Sequence, residues 1–255
     1  MIRWLLLFLS LSFSVSAETY PIVVPAGVGG PTDTIARRLQ KQLSEKHIET
    51  IVVNKSGLSG NLGFDYFIKD CKSCLLIATE AIYTNKIYFP ESYPEDIVKD
   101  AIKLAKLGKN STIVLTSLPI NNLKDLIELS KNKTITVGNG GIGTTSYRAY
   151  KELCNIMNNN CIEVRYKSFS SSLPDLFSKT LDVYVFLEVG TLNGIVVEGL
   201  TKAIATLDNK RFQNIPTASE QGFDLVITGE YNLYYKNIPE FSLAIIRKTV
   251  LENKY

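Results

Sequence analysis

The 255-residue sequence predicts an α/β fold of two lobes, with mixed, mostly parallel sheets, around a ligand cleft. Strand-like and helix-like segments alternate along the chain, which is the pattern of βαβ units. Two glycine-rich turns occupy the same place in separate strand–turn–helix units about 110 residues apart: Ala26-Gly27-Val28-Gly29-Gly30-Pro31-Thr32-Asp33 and Gly138-Asn139-Gly140-Gly141-Ile142-Gly143-Thr144-Thr145-Ser146. A third turn, Ser56-Gly57-Leu58-Ser59-Gly60-Asn61-Leu62-Gly63, opens a helix in the same lobe as the first. Glycine lets backbone approach a ligand closely, and a helix start offers unpaired N–H groups with about half a positive charge. One such turn outlines an anion site. A matched pair points to two lobes presenting helix starts to one shared ligand.

The elements follow in order. Residues 1–17 read as a secretory leader: Arg3 is the positive end, residues 4–13 the apolar core and Val15-Ser16-Ala17 the small-residue cleavage site. The apolar run falls short of the ~20 residues that cross a bilayer. The mature chain is therefore expected in the periplasm, beginning near Glu18. A buried-type strand at 22–25 leads through the first turn to a helix over 34–46, with Ile35, Leu39 and Leu43 as its inward stripe. Strand 50–53, the third turn, helix 64–69, strand 75–79 and a helix from near Ile82 follow. The stretch 101–117, with the apolar run Ile113-Val114-Leu115, leaves the first lobe. Helix 122–130 turns Leu123, Leu126 and Ile127 inward, then come strand 134–137, the second turn, helix 147–153 and strand 162–166. Helix 173–178, strand 183–187, a helix near 191–198 and strand 203–206 complete the second lobe. Residues 214–224 are turn-rich, and the apolar, aromatic run 225–235 returns to the first lobe. The expected division is a leader at 1–17, lobe one at 18–108 completed by 214–255, and lobe two at 109–213.

Composition narrows the chemistry. Hydrophobic residues make up 45%, enough for a sizeable core, and the formal charge of +3 falls to +2 when Arg3 leaves with the leader. No long basic run is present, so neither nucleic acid nor an anionic membrane surface is implied as a partner. Four cysteines fit an oxidising compartment. Cys71 and Cys74 precede a strand, and Cys154 and Cys161 flank a helix-to-strand turn; local pairing is the simplest of three connectivities. A redox C-x-x-C usually opens a helix, where the thiolate is stabilised, so a structural role fits Cys71 and Cys74 better. The only histidine, His47, is remote from both pairs in sequence, and no metal site is expected.

Triad chemistry needs a base beside its nucleophile, and His47 lies in a polar connection. Asp33, Asp65, Asp182 and Glu188 have no spacing that requires a carboxylate pair. Binding is favoured over turnover, with no cofactor. Gly138-Asn139-Gly140-Gly141-Ile142-Gly143 does match the G-x-G-x-x-G dinucleotide pattern, with Glu163 at the distance of a ribose-binding acid. However, Glu163 falls within a strand rather than at its carboxyl end, and neither turn carries the Lys-Ser/Thr ending of a phosphate loop. A carboxylate held by backbone amides suits the residues better. Thr32, Thr144, Thr145 and Ser146 add hydroxyls, and Asp33 is placed as an N-cap. Arg37, Arg38 and Arg148 read as solvated, and Tyr166-Lys167 as a border of the cleft.

At these residues the chain resembles the substrate-binding proteins of tripartite tricarboxylate transporters, the Bug or TctC family. The resemblance runs through Val24-Pro25-Ala26-Gly27-Val28-Gly29-Gly30-Pro31-Thr32-Asp33-Thr34-Ile35-Ala36-Arg37, then Val52-Val53-Asn54 with Gly57-Leu58-Ser59-Gly60-Asn61-Leu62-Gly63. It continues through the second-lobe turn, Val164-Arg165-Tyr166-Lys167, Leu181-Asp182-Val183 and Ile215-Pro216-Thr217-Ala218-Ser219-Glu220-Gln221-Gly222. It implies a type II periplasmic-binding-protein-like fold that closes on a small carboxylate: a dicarboxylate, tricarboxylate, amino acid or aromatic acid. It also implies hand-over to a membrane transporter of that system; separately, nothing in the sequence demands a dimer, and a monomer is expected. Carried over residue by residue, the contacts are Gly29, Gly30, Thr32, Asp33, Gly60, Asn61, Thr79, Gly143, Thr144, Thr145 and Tyr166. The family's Pro-Tyr-Lys-Gly reads Arg165-Tyr166-Lys167-Ser168 here, Lys179-Thr180-Leu181 replaces a usual glycine, and Tyr255 comes before the last helices such proteins usually have. Two alternatives stand beside this reading: an exported dinucleotide-dependent enzyme, and a ligand-sensing binding protein signalling to a membrane partner.

Overall fold

The computed structural model describes residues 18–187, 196 and 200–253. The leader, Glu188 and, apart from residue 196, the helix expected over 191–198 lie outside the described residues. Strand β1 (Tyr20–Val24), helix α1 (Pro31–Ser44), β2 (Thr50–Asn54), α2 (Asn61–Lys69), β3 (Cys74–Ala78) and α3 (Ala81–Tyr88) build the first lobe. A short helix, α4 (Ile97–Asp100), precedes the long strand β4 (Ile102–Thr116). The second lobe carries α5 (Leu123–Ser130), β5 (Ile135–Asn139), α6 (Thr145–Ile156), β6 (Cys161–Arg165), α7 (Leu173–Phe177), β7 (Val183–Leu187) and β8 (Lys202–Thr206). Strand β9 (Thr228–Lys236) and helix α8 (Glu240–Glu252) follow.

The described strands join in the order β2-β1-β3-β9-β4-β7-β5-β6, with β8 on β4. The outer pairings β1 with β2 and β3, and β5 with β6 and β7, are parallel, as their helical crossovers require. Strands β4 and β9 run antiparallel to their neighbours through the middle of the sheet. The first part of β4 pairs with β9 and its last five residues with β7 and β8, so this one strand passes from lobe to lobe.

Side-chain alternation gives each lobe a core on both sheet faces. Leu75 and Ile77 of β3 pack with Ile35, Leu39 and Leu43 of α1, whereas Cys74, Leu76 and Ala78 pack with Phe64 and Phe67 of α2. On β7, Val183 and Val185 join Leu123, Leu126 and Leu153, while Tyr184 and Phe186 join Phe169 and Leu176 on the other face. Helix α8, which the sequence reading did not include, adds Leu243, Ile246 and Val250 to the core of α1. Residues Ala218, Leu225 and Ile227 pack in the second lobe, and β9 pairs with β3 of the first. Disulfides join Cys71 to Cys74 and Cys154 to Cys161, with Cα separations of 6.2 and 5.8 Å. Each ties the end of a helix to the next strand.

Candidate functional site

The starts of α1, α2, α3 and α6 open on one cavity of about 410 Å³ between the lobes. Gly30 and Thr32 line it from α1, Gly60 from α2, Thr79 and Ala81 from α3, and Thr144, Thr145 and Ser146 from α6. Thr32, Thr145 and Ser146 sit in the first turns of their helices, so their N–H groups have no intrahelical acceptor. Thr144 caps α6 by accepting the Tyr147 N–H at 3.1 Å, and its own hydroxyl donates to Gly141 O at 2.7 Å. The Ser146 hydroxyl accepts the Gly140 N–H at 3.0 Å. The loop is thus closed by its own donors while the helix start faces the cavity.

Seven of the expected contacts line the cavity: Gly30, Thr32, Gly60, Thr79, Thr144, Thr145 and Tyr166. The other four, Gly29, Asp33, Asn61 and Gly143, do not line it. Asp33 is not the N-cap; Pro31 starts the helix after Gly30 and places Asp33 at the third helical position. Its buried carboxylate accepts the Gly29 N–H at 2.9 Å, Arg37 Nε at 2.8 Å and Asn54 Nδ2 at 3.0 Å. Burial raises the Asp33 pKa, but the donors from Arg37, Gly29 and Asn54 outweigh it and hold the carboxyl below its usual value. Gly29 is therefore a backbone donor to Asp33, and Arg37 is ion-paired rather than merely solvated. Asn61 is buried, accepting from Asn85 Nδ2 at 2.8 Å and donating to Ser92 Oγ at 3.0 Å. Gly143 has φ +88°, and a Cβ there would run into Asn85 Oδ1.

The sequence reading missed the apolar wall. Phe64, Phe89, Ile142, Phe169, Tyr184, Phe186 and Tyr231 all line the cavity. Phe169 packs edge-on against Tyr184 with centroids 5.0 Å apart and lies 4.4 Å from Phe186. The signal was the alternation of Tyr184 and Phe186 on one face of β7. Burial, then the hydrogen bond to Asp175 Oδ2 at 2.8 Å, push the Tyr166 hydroxyl up to about 12. Burial also pushes Tyr184 and Tyr231 upward, so these phenols stay neutral at physiological pH. Arg165 and Lys167 are the charged residues in the described lining. Arg165 is forked onto Glu163 at 2.9 and 2.8 Å.

The lobes touch around the cavity rim. Thr84 Oγ1 donates to Gly143 O at 3.1 Å, Ser170 Oγ to Val28 O at 2.9 Å, and the Thr145 hydroxyl to Glu80. Tyr88 of α3 meets Tyr147 of α6 edge-on at 6.3 Å. A Cβ on Gly27 would stand 2.7 Å from Ser168 Cβ, so only glycine allows this approach.

Among the described residues, other chemistry finds no assembly. Gly138 and Asn139 belong to β5, so the first glycine of the dinucleotide-like pattern packs against Tyr184 inside a strand. Glu163 is taken by Arg165 and by Asn139 Nδ2 at 3.2 Å. Asp65 pairs with Lys69 and Asp182 with Lys133 and Thr136, both apart from Asp33. Arg148 donates to Thr228 O at 3.3 Å, and His47 is exposed.

Helix starts from two lobes around one cavity define a periplasmic solute-binding fold. The chain shares it with the periplasmic binding protein BugD, at a TM-score of 0.80 and 23% identity over 91% of this chain and 81% of that one. MatC from Rhodopseudomonas palustris, solved with bound malate, aligns at a TM-score of 0.78 and 22% identity, covering 92% of this chain and 83% of MatC. Protein BugT of Bordetella pertussis is 26% identical over 226 residues, 82% of this chain and 69% of that protein. Residues 35–232 match the family described as "Tripartite tricarboxylate transporter family receptor", and the chain belongs to it. That family is one of binding proteins, not enzymes.

Proposed function

We propose that the chain is exported to the periplasm through residues 1–17, captures a small carboxylate between its lobes as a monomer, and delivers it to membrane subunits of a tripartite tricarboxylate-type transporter. The observation that carries this reading is the convergence of four helix starts, from both lobes, on one cavity whose described lining bears cations and no anionic side chain. A carboxylate against the Thr32, Thr145 and Ser146 amides gains charge-assisted hydrogen bonds and the field of the helix ends. Gly30, Thr32, Gly60, Thr79, Thr144, Thr145 and Tyr166 touch the ligand in this reading; Gly29, Asp33, Asn61 and Gly143 hold the turns in place. Lobe one comprises 18–108 with β9 and α8, and lobe two comprises 109–227, since Ala218, Leu225 and Ile227 share its core. The family and the malate bound by MatC support the ligand class.

A thermal-shift screen on the oxidised, leaderless protein tests the reading. A carboxylate at a hundred times its Kd should add about 2.7 kcal/mol of stability, a shift of several degrees. No shift with any di-, tri- or monocarboxylate in a well-folded sample would remove the reading.

A further inference from the structure

We infer that the cleft selects a carboxylate with one anionic group and an apolar, preferably aromatic, body over a di- or tricarboxylate. The inference rests on the carboxylate reading above and narrows it. The helix starts bring Thr32, Thr79, Thr144, Thr145 and Ser146 to the cavity as the seat for an anionic end, and Ser56, Ser59, Arg165 and Lys167 stand elsewhere in its lining. Phe64, Phe89, Ile142, Phe169 and Phe186 supply a large apolar part of the wall. Among the cavity tyrosines, Tyr166 has its hydroxyl proton committed, donating to Asp175 at 2.8 Å. A second carboxylate set against that apolar wall would lose water without gaining a buried cation, which is unfavourable. Arg165 is committed to Glu163, and Lys167 is exposed, where an ion pair contributes little. Glu80 stands between the lining residues Thr79 and Ala81. It accepts the Thr145 hydroxyl and does not itself line the cavity, so the ammonium of an amino acid gains no open acid there. An aromatic body instead packs against Phe169 and Phe186 with the stacking and area burial such rings favour.

Calorimetric titration of the oxidised, leaderless protein with benzoate, phenylacetate, hexanoate, succinate, malate, citrate and L-phenylalanine tests this. Benzoate or phenylacetate should bind roughly tenfold or more tighter than succinate, malate, citrate and L-phenylalanine. Equal or tighter binding of succinate, malate, citrate or phenylalanine overturns the inference and leaves the carboxylate reading standing. Binding by none of these overturns both. Ile142 is half-buried on the second turn, so Ile142→Lys places a cation in the wall without disturbing a core. In that variant the benzoate-to-succinate preference should fall roughly tenfold while the unliganded melting temperature stays within a few degrees. An unchanged preference in a folded Ile142→Lys protein also overturns the inference.

Discussion

Asp33→Ala should destabilise the first lobe more than any other single change near the cleft, although Asp33 touches no cavity. The carboxylate is 1% exposed and holds three donors, from Gly29, Arg37 and Asn54. The Arg37 side chain is 52% exposed, which limits that ion pair to about 1 kcal/mol or less. The bonds from Gly29 and Asn54 end on a buried charge and are worth about 1.5–3 kcal/mol each, because their loss strands partly buried donors. The expected cost of Asp33→Ala is therefore about 3–5 kcal/mol, and about half that for Asp33→Asn, which keeps one acceptor. Urea unfolding at neutral pH, followed by circular dichroism, measures both. The pH dependence has a fixed sign: the folded carboxyl titrates below its usual 3.8, so its contribution is complete above that value and lost as pH falls through the lower folded value. The stability gap between the wild-type protein and Asp33→Asn should be constant from neutrality to about pH 5 and close only under stronger acid. A cost below about 1 kcal/mol for Asp33→Ala, or a gap already closing near neutrality, refutes the assignment of Asp33 as the brace of the first turn.

Gly143→Ala must fit a Cβ against Asn85 at a left-handed φ of +88°, costing about 1–2 kcal/mol in backbone strain alone. Calorimetry should show affinity for the best carboxylate weakened roughly tenfold or more; an unchanged Kd argues against lobe contact at this turn. Thr84→Ala combined with Ser170→Ala removes two bonds that cross between lobes, from 3.1 and 2.9 Å, and should raise the ligand off-rate about five- to thirtyfold in stopped-flow measurements with little change in urea midpoint. Replacing Cys154 and Cys161 together by serine opens a loop with a sequence separation of 7 and should cost about 2–3 kcal/mol, read as an earlier urea midpoint in the oxidised state.

Most of the first lobe and the outer strands of the second were legible because periodicity and punctuation agree there. Ile35, Leu39 and Leu43 mark α1, and Asn122 caps α5 by accepting the Asp125 N–H at 2.8 Å. The long strand β4 was not legible over its first ten residues. Its buried positions there are Leu104, Leu107 and Asn110, a spacing of three rather than two, because the register with β9 shifts between Lys103 and Ala105 and again between Lys106 and Gly108. Helix α8 did carry a signal, with Leu243, Ile246 and Val250 at helical spacing after Pro239, but it lies beyond the repeated strand–turn–helix plan. At the cleft, a motif marks a turn without separating the residues that face a ligand from those that hold the turn. Gly29, Asp33, Asn61 and Gly143 lie in the same short motifs as Gly30, Thr32, Gly60 and Thr144, yet only the latter four line the cavity. The aromatic wall was harder still, since Phe64, Phe89, Phe169, Phe186 and Tyr231 come from separate elements that only the fold brings together.

The division between contact and brace also bears on closure. The carbonyls of Val28 and Gly143, which receive the Ser170 and Thr84 hydroxyls across the cleft, belong to the same turns that present α1 and α6 to the cavity. A ligand that orders those turns therefore orders the acceptors of the bonds between lobes, and closure in turn fixes the amides that hold the ligand. Binding and closure then share one free-energy term, and each favours the other by the same factor. Two bracing residues of the first lobe act on that term: Asp33 fixes Gly29, adjacent to Val28, and Asn85 donates to Ser59 O at 3.0 Å and packs beneath Gly143 of the second lobe. A change in either brace should therefore reach affinity and closure together, whereas a change in the aromatic wall should alter which carboxylate binds and leave the closing bonds intact.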